Sequence, residues 1–91
     1  PAPAAGAAPH ADWVALKAEN LGTFYRAPPP GAAPYVSVGD RVGPETEVAL
    51  VEVMKLFTTV RAGMSGTLRE IVAQDGQMVE FGQVLMWIEP V

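Results

Sequence analysis

Lys55 is the residue of this chain best placed to do covalent chemistry, because of where it falls. It lies at the middle of residues 47–62, sixteen residues of β-type composition with no Gly, Pro, Asn or Asp. Strands usually run about 3–10 residues, and the β-branched Val and Thr weaken a helix. The stretch therefore predicts two strands joined by a hairpin turn at Met54-Lys55. A tight hairpin favours Asn-Gly or Asp-Gly, since its central residues need positive φ. Met-Lys breaks that rule, and a sequence breaks a local rule most often where function requires it. The spacing predicts that Lys55 is displayed on a turn so that another enzyme can modify its amine.

Other chemistries lack their residues. The chain has no cysteine, which removes disulfides, thiolate nucleophiles and most structural zinc sites together. A cytoplasmic setting is compatible with that. The one histidine, His10, stands in a Pro/Ala-rich tract, so a Ser-His-Asp triad or a multi-histidine metal centre has no material. A net charge of −4 argues against a nucleic-acid partner, which needs clustered Lys and Arg to displace counterions. No Gly-rich phosphate loop is present. No apolar run approaches the ~20 residues that cross a bilayer, and no secretory signal is visible. Neither nucleic acid nor membrane is expected as a partner.

Several elements must position Lys55. Residues 1–12, beginning Pro-Ala-Pro-Ala-Ala-Gly-Ala-Ala-Pro, read as an extended tether. Residues 13–91 read as one folded domain. Within it the chain repeats itself. Shifting residues 13–26 by 44 positions lays Ala18 on Ala62, Gly22 on Gly66 and Thr23 on Thr67. Shifting residues 39–52 by 37 lays Gly39 on Gly76, Val42 on Val79 and Glu52 on Glu89. The two offsets differ by seven, which implies an insertion in the first half, and Pro-rich residues 27–34 are its natural place. Short strands separated by turn signals predict an all-β fold, a flattened antiparallel β-barrel or sandwich of two four-stranded halves related by a pseudo-twofold repeat. The expected strands are 14–17, 22–26, 35–38, 48–53, 57–61, 67–72, 78–79 and 84–88. Their junction, and with it Lys55, falls at the pole opposite the tether. Trp13, Phe24, Tyr25, Phe81 and Trp87 form no evident ligand cage and read as core or rim packing.

Val51-Glu52-Val53-Met54-Lys55-Leu56, with Gly22-Thr23-Phe24-Tyr25-Arg26 before it and Met64-Ser65-Gly66-Thr67 after it, resembles the biotin carboxyl carrier proteins of acetyl-CoA carboxylase. The resemblance covers about residues 18–90. It implies a biotinyl/lipoyl-type hybrid barrel in which the lysine of a Glu-Ala-Met-Lys-Met turn carries biotin in amide linkage. Here Val53 replaces the usual Ala and Leu56 the usual Met. The resemblance further implies that Met54, Val53, Leu56, Glu52 and Glu80 are read by a biotin protein ligase. Pro28, Pro29, Pro30 and Gly31 then form a protruding thumb over the biotin. In that family's cycle a biotin carboxylase carboxylates the ureido nitrogen and a carboxyltransferase passes the carboxyl group to an acyl-CoA. The carrier itself is no catalyst. The alternatives are the biotin carrier of another acyl-CoA carboxylase and a lipoyl carrier, built on a similar repeat, although the lipoyl turn normally places Asp before the lysine and Ala after it.

Overall fold

The computed structural model describes residues 11–27 and 33–91. Most of the expected tether and the thumb residues Pro28 to Gly31 lie outside them. Eight strands follow in chain order: β1 (Val14–Lys17), β2 (Gly22–Tyr25), β3 (Arg41–Val42), β4 (Glu47–Val53), β5 (Leu56–Arg61), β6 (Gly66–Ile71), β7 (Met78–Val79) and β8 (Val84–Pro90). They form two four-stranded sheets, β1-β8-β6-β3 and β5-β4-β2-β7, with every pairing antiparallel. Advancing each strand by four positions turns one sheet order into the other. The two-halved all-β fold expected from the repeat is thus the fold observed.

The repeat extends to individual hydrogen bonds. The Phe24 N–H donates to the Gln77 carbonyl at 2.8 Å, and Leu68, 44 residues on, donates to the Asp40 carbonyl at 2.9 Å. Ala18 donates to the Gln83 carbonyl at 2.8 Å and Ala62 to the Thr46 carbonyl at 2.9 Å. The core pairs in the same way. Phe24 faces its counterpart role in Leu68, Val42 in Val79, Val48 in Leu85 and Val51 in Ile88, and all eight are buried. Burying side chains of this size stabilises the fold by about 1.5–3 kcal/mol each.

Two glycines let the strands approach. A Cβ on Gly22 would lie 2.6 Å from the Glu52 carbonyl oxygen and 2.6 Å from Val51 Cγ1. A Cβ on Gly66 would meet the matching atoms of the other half, the Glu89 carbonyl and the Ile88 side chain. Any residue but glycine would push β2 off β4, or β6 off β8.

One expected strand is misplaced. Residues 35–38 form no strand, and β3 lies at Arg41–Val42, paired with Thr67 and Gly66. Val36 is buried in the core, but the next residues turn. The Ser37 N–H donates to Asp40 Oδ2 at 2.9 Å and the Asp40 N–H to the Ser37 carbonyl at 3.0 Å. A side-chain-capped turn of this kind competes with a ladder for the same backbone groups.

Candidate functional site

The turn that joins β4 to β5 falls at Met54-Lys55, closed by the Val53–Leu56 pair. Met54 has φ 51° and Lys55 φ 68°, and these are the two non-glycine residues with positive φ among the described residues. Both values fit the type I′ hairpin, whose twist matches the flanking strands. For side chains of this size the conformation costs on the order of 1 kcal/mol each. The β4–β5 ladder, running from Glu47–Arg61 to Val53–Leu56, holds the turn against that cost.

The tip is bare. Met54 is 91% exposed and Leu56 74%, and Lys55 is exposed between them. Neither ion pair of the described residues, Arg61–Glu47 or Arg69–Glu89, involves Lys55. Met54 is therefore not held by core packing, and among the described residues no hydrogen bond or ion pair engages the Lys55 amine.

The acidic residues expected near the lysine lie on the same sheet at different distances. Glu52 stands on the outer face of β4, two residues before the turn, and accepts a 3.2 Å hydrogen bond from the Tyr25 hydroxyl. The Tyr25 ring lies 6.4 Å from that of Phe57 at 45°. Partial burial, then the hydrogen bond to Glu52 and the Glu52 charge, with a smaller effect from Asp75, push the Tyr25 phenol above its ordinary value. Glu80 follows Val79, which pairs with Gly22 at the lysine-bearing end. It is exposed, two strands from β4, or about 10 Å at the usual strand spacing. The structure thus groups Val53, Met54, Lys55 and Leu56 at the tip, with Glu52 just below it and Glu80 at the margin. Tyr25, expected as packing, also donates to Glu52, a contact that the expectation did not include. Strand alternation carried the signal, since a buried Phe24 turns Tyr25 to the outer face.

The insertion leaves the sheet elsewhere than expected. β2 begins at the lysine-bearing pole with Gly22 and runs away from it, so Arg26 lies one step beyond the Tyr25–Leu50 pair. That is five strand residues, roughly 16 Å, short of Met54. The neck is fixed by the Tyr35 N–H donating to the Arg26 carbonyl at 2.9 Å and the Arg26 N–H donating to Asp75 Oδ1 at 2.8 Å. The direction of β2 and the turn at 37–40 thus root the expected thumb away from the lysine pole.

Residues 14–88 match the family described as biotin-requiring enzyme. The chain belongs to that family. It is 49% identical over 70 residues to the biotin carboxyl carrier protein of acetyl-CoA carboxylase from Nostoc sp. (strain PCC 7120), which covers 77% of this chain and 38% of the relative. It is 44% identical over 75 residues to the chloroplastic biotin carboxyl carrier protein of acetyl-CoA carboxylase 2 from Arabidopsis thaliana, covering 82% of this chain and 29% of that one. The chain therefore spans well under half the length of either. Among solved structures, a single-chain, multi-domain long-chain acyl-CoA carboxylase superposes with a TM-score of 0.78 at 20% identity, covering 97% of this chain and 8% of that chain. The Kluyveromyces lactis urea carboxylase gives 0.72 at 28% identity, covering 97% and 7%. The first of these supports the fold alone. Biotin is the cofactor that the family requires, and the relatives are named as carriers, in keeping with the expected non-catalytic role. Among the described residues no helix is long and apolar enough to cross a membrane.

Proposed function

We propose that this domain is a biotin carboxyl carrier whose biotin is attached to Lys55. The supporting observation is an exposed primary amine on a turn whose two central residues hold positive φ without being glycine or asparagine. A turn selected for stability alone would carry Asn-Gly. The residues present fit amide attachment, which needs one accessible amine and a protein surface that leaves it free. After a ligase removes its proton, Lys55 Nζ attacks the carbonyl of an activated carboxyl group, and the amide forms as the activating group leaves. Biotin supplies a ureido nitrogen that takes up and gives up a carboxyl group. The domain contributes position: Lys55 stands at one end of a rigid sandwich, and residues 1–12 act as a tether that raises its effective concentration at successive active sites.

In this proposal the partners are a biotin protein ligase, a biotin carboxylase and a carboxyltransferase, with acetyl-CoA as acyl acceptor by analogy with the relatives' names. Val53, Met54, Leu56, Glu52 and Glu80 are the ligase contacts, and Pro28, Pro29, Pro30 and Gly31 form the thumb. A cytoplasmic setting completes the reading, although the Arabidopsis relative is named chloroplastic. The test is Lys55→Arg, which keeps the charge and cannot form the amide. Incubated with biotin protein ligase, ATP and biotin, the wild-type chain should bind streptavidin and the variant should not. Labelling of the variant, or wild-type modification only by a lipoate ligase, overturns the reading.

A further inference from the structure

β1 and β5 are edge strands of the two sheets, and they correspond under the repeat, since residues 14–17 moved by 44 are 58–61. Each pairs on one side only, β1 with β8 and β5 with β4, so the sandwich is unclosed along this seam. A groove of about 280 Å³ runs between them. Leu16, Val51 and Val60 give it an apolar lining, and Asn20, Thr58 and Thr59 add polar groups. Asn20 is exposed, whereas its counterpart by the same offset, Met64, packs against the core. Asn20 stands two residues before Gly22, which meets Val53 at the lysine-bearing pole. That pole therefore presents an amide where the other half is filled by an apolar side chain. The backbone of β5 adds further polar groups. In a two-residue hairpin the pair that closes the turn exchanges hydrogen bonds, and bonded and non-bonded pairs then alternate along the ladder. With Val53–Leu56 closing the turn, Leu56 and Thr58 direct their N–H and C=O towards β4, and Phe57 and Thr59 direct theirs to the free edge.

We propose that the groove between β1 and β5 is the resting site of the biotin ring carried by Lys55. This rests on the Lys55 reading above and adds where the ring lies between its encounters with other enzymes. Reach allows it. About eleven bonds separate the Lys55 Cα from the ring, roughly 13 Å at the ~1.2 Å per bond of an extended chain, and Thr58 lies three residues or about 10 Å along β5. The chemistry of the two partners matches. A ureido group presents N–H and C=O side by side, and an edge residue such as Thr59 presents the complementary C=O and N–H on one side of its strand. The Asn20 amide supplies one more acceptor and donors. The sulfur-containing ring and the arm methylenes then cover Leu16, Val51 and Val60, which removes apolar surface from water. Charge selects a neutral ligand over an anion, because Glu19 lines the groove with Lys17, and Arg61 faces Glu47 at 3.9 Å.

The experiment is NMR of the chain before and after biotinylation by biotin protein ligase. On modification, the backbone amides of Phe57 and Thr59 and the side-chain amide of Asn20 should shift, and nuclear Overhauser contacts should join the ring protons to the methyls of Leu16 or Val60. Order parameters of the ring C–H bonds should lie above about 0.6 in wild type and fall below it in Asn20→Met, which places the residue of the other half at the lysine-side end. Thr58→Val, similar in shape but without the hydroxyl, should move the ring resonances towards those of biotin amide free in solution. If Asn20→Met loses its fold by circular dichroism, Thr58→Val alone decides. Shifts confined to residues 54–56, with a freely reorienting ring, overturn the proposal and leave the Lys55 reading intact. Ring resonances that respond to deletion of residues 28–32 and to neither groove variant assign the ring to the thumb and overturn it as well. A wild-type chain that gains no biotin mass overturns both readings.

Discussion

Glu52 and Glu89 occupy corresponding positions, yet they are held differently. Glu89 forms a close ion pair with Arg69, with Nη2 2.6 Å and Nε 2.7 Å from Oε1. The position of Arg69 in the other half is Tyr25, which gives Glu52 one neutral hydrogen bond at 3.2 Å. Among the described residues, the carboxylate near Lys55 therefore makes no ion pair and stays available to a partner. The contact also binds the phenolic proton. Because burial of the phenol, and after it the contact with Glu52, make the folded state hold that proton more tightly than the unfolded chain does, the protonated phenol favours folding below pH ~10, and that contribution fades as pH rises through the folded-state value. Tyr25 should titrate above the usual tyrosine range by absorbance or NMR. In Glu52→Gln, which removes the charge and weakens the acceptor, its midpoint should fall. An identical midpoint in the two proteins would show that Glu52 does not govern this phenol.

Hairpin and glycines carry the predictions at the scale of elements. Replacing Met54-Lys55 by Asn-Gly should stabilise the domain by about 1 kcal/mol, because both new residues suit positive φ, and should abolish biotin acceptance. With Met54 almost fully exposed, the exchange costs no core contact. A lower urea midpoint would contradict the account of the turn. Gly22→Ala should instead destabilise by about 2 kcal/mol or more, since the clash is with the backbone carbonyl of Glu52 and not with a movable side chain. Gly66→Ala should cost a similar amount, because its surroundings are the same. Denaturant melts of the two variants measure this, and a tolerated alanine at either position would mean that the paired strands can separate locally.

At the scale of the whole molecule, the eight strands form a symmetric body, and the sequence puts the insertion in one half only. The hydrogen bond from Tyr35 to Arg26 already closes its neck at 2.9 Å. Deleting residues 28–32 leaves Ala27, Ala33 and Pro34 to bridge that pair. Shortening the loop from eight residues to three changes closure entropy by only about 0.9 kcal/mol, so Tm should move by less than roughly 7 °C. If the segment acts as a thumb, NMR relaxation of the biotin ring protons on the modified domain should change on deletion. A collapse of Tm would instead make the segment part of the core, against the symmetry of the two halves.

Much of this architecture was legible from composition and spacing. The uninterrupted stretch 47–62 located the hairpin, because only a turn lets so long a β-rich run fold within one small domain. The two offsets located the halves, because paired glycines and valines recur wherever strands must approach or fill a core. The same offsets also held the position of β3, since β7 at Met78–Val79 moved back by 37 is Arg41–Val42. The apolar Tyr35 and Val36 start the expected strand six residues too early. What the sequence determined by itself was therefore local and periodic: the turn, the lysine on it and the duplication. Tertiary structure decided what depends on strand direction and register. It set β2 running away from the lysine pole and Tyr25 against Glu52. Residues far apart in the chain become neighbours only when antiparallel pairing fixes which ends of the strands meet, and one sequence read along its length does not contain that pairing.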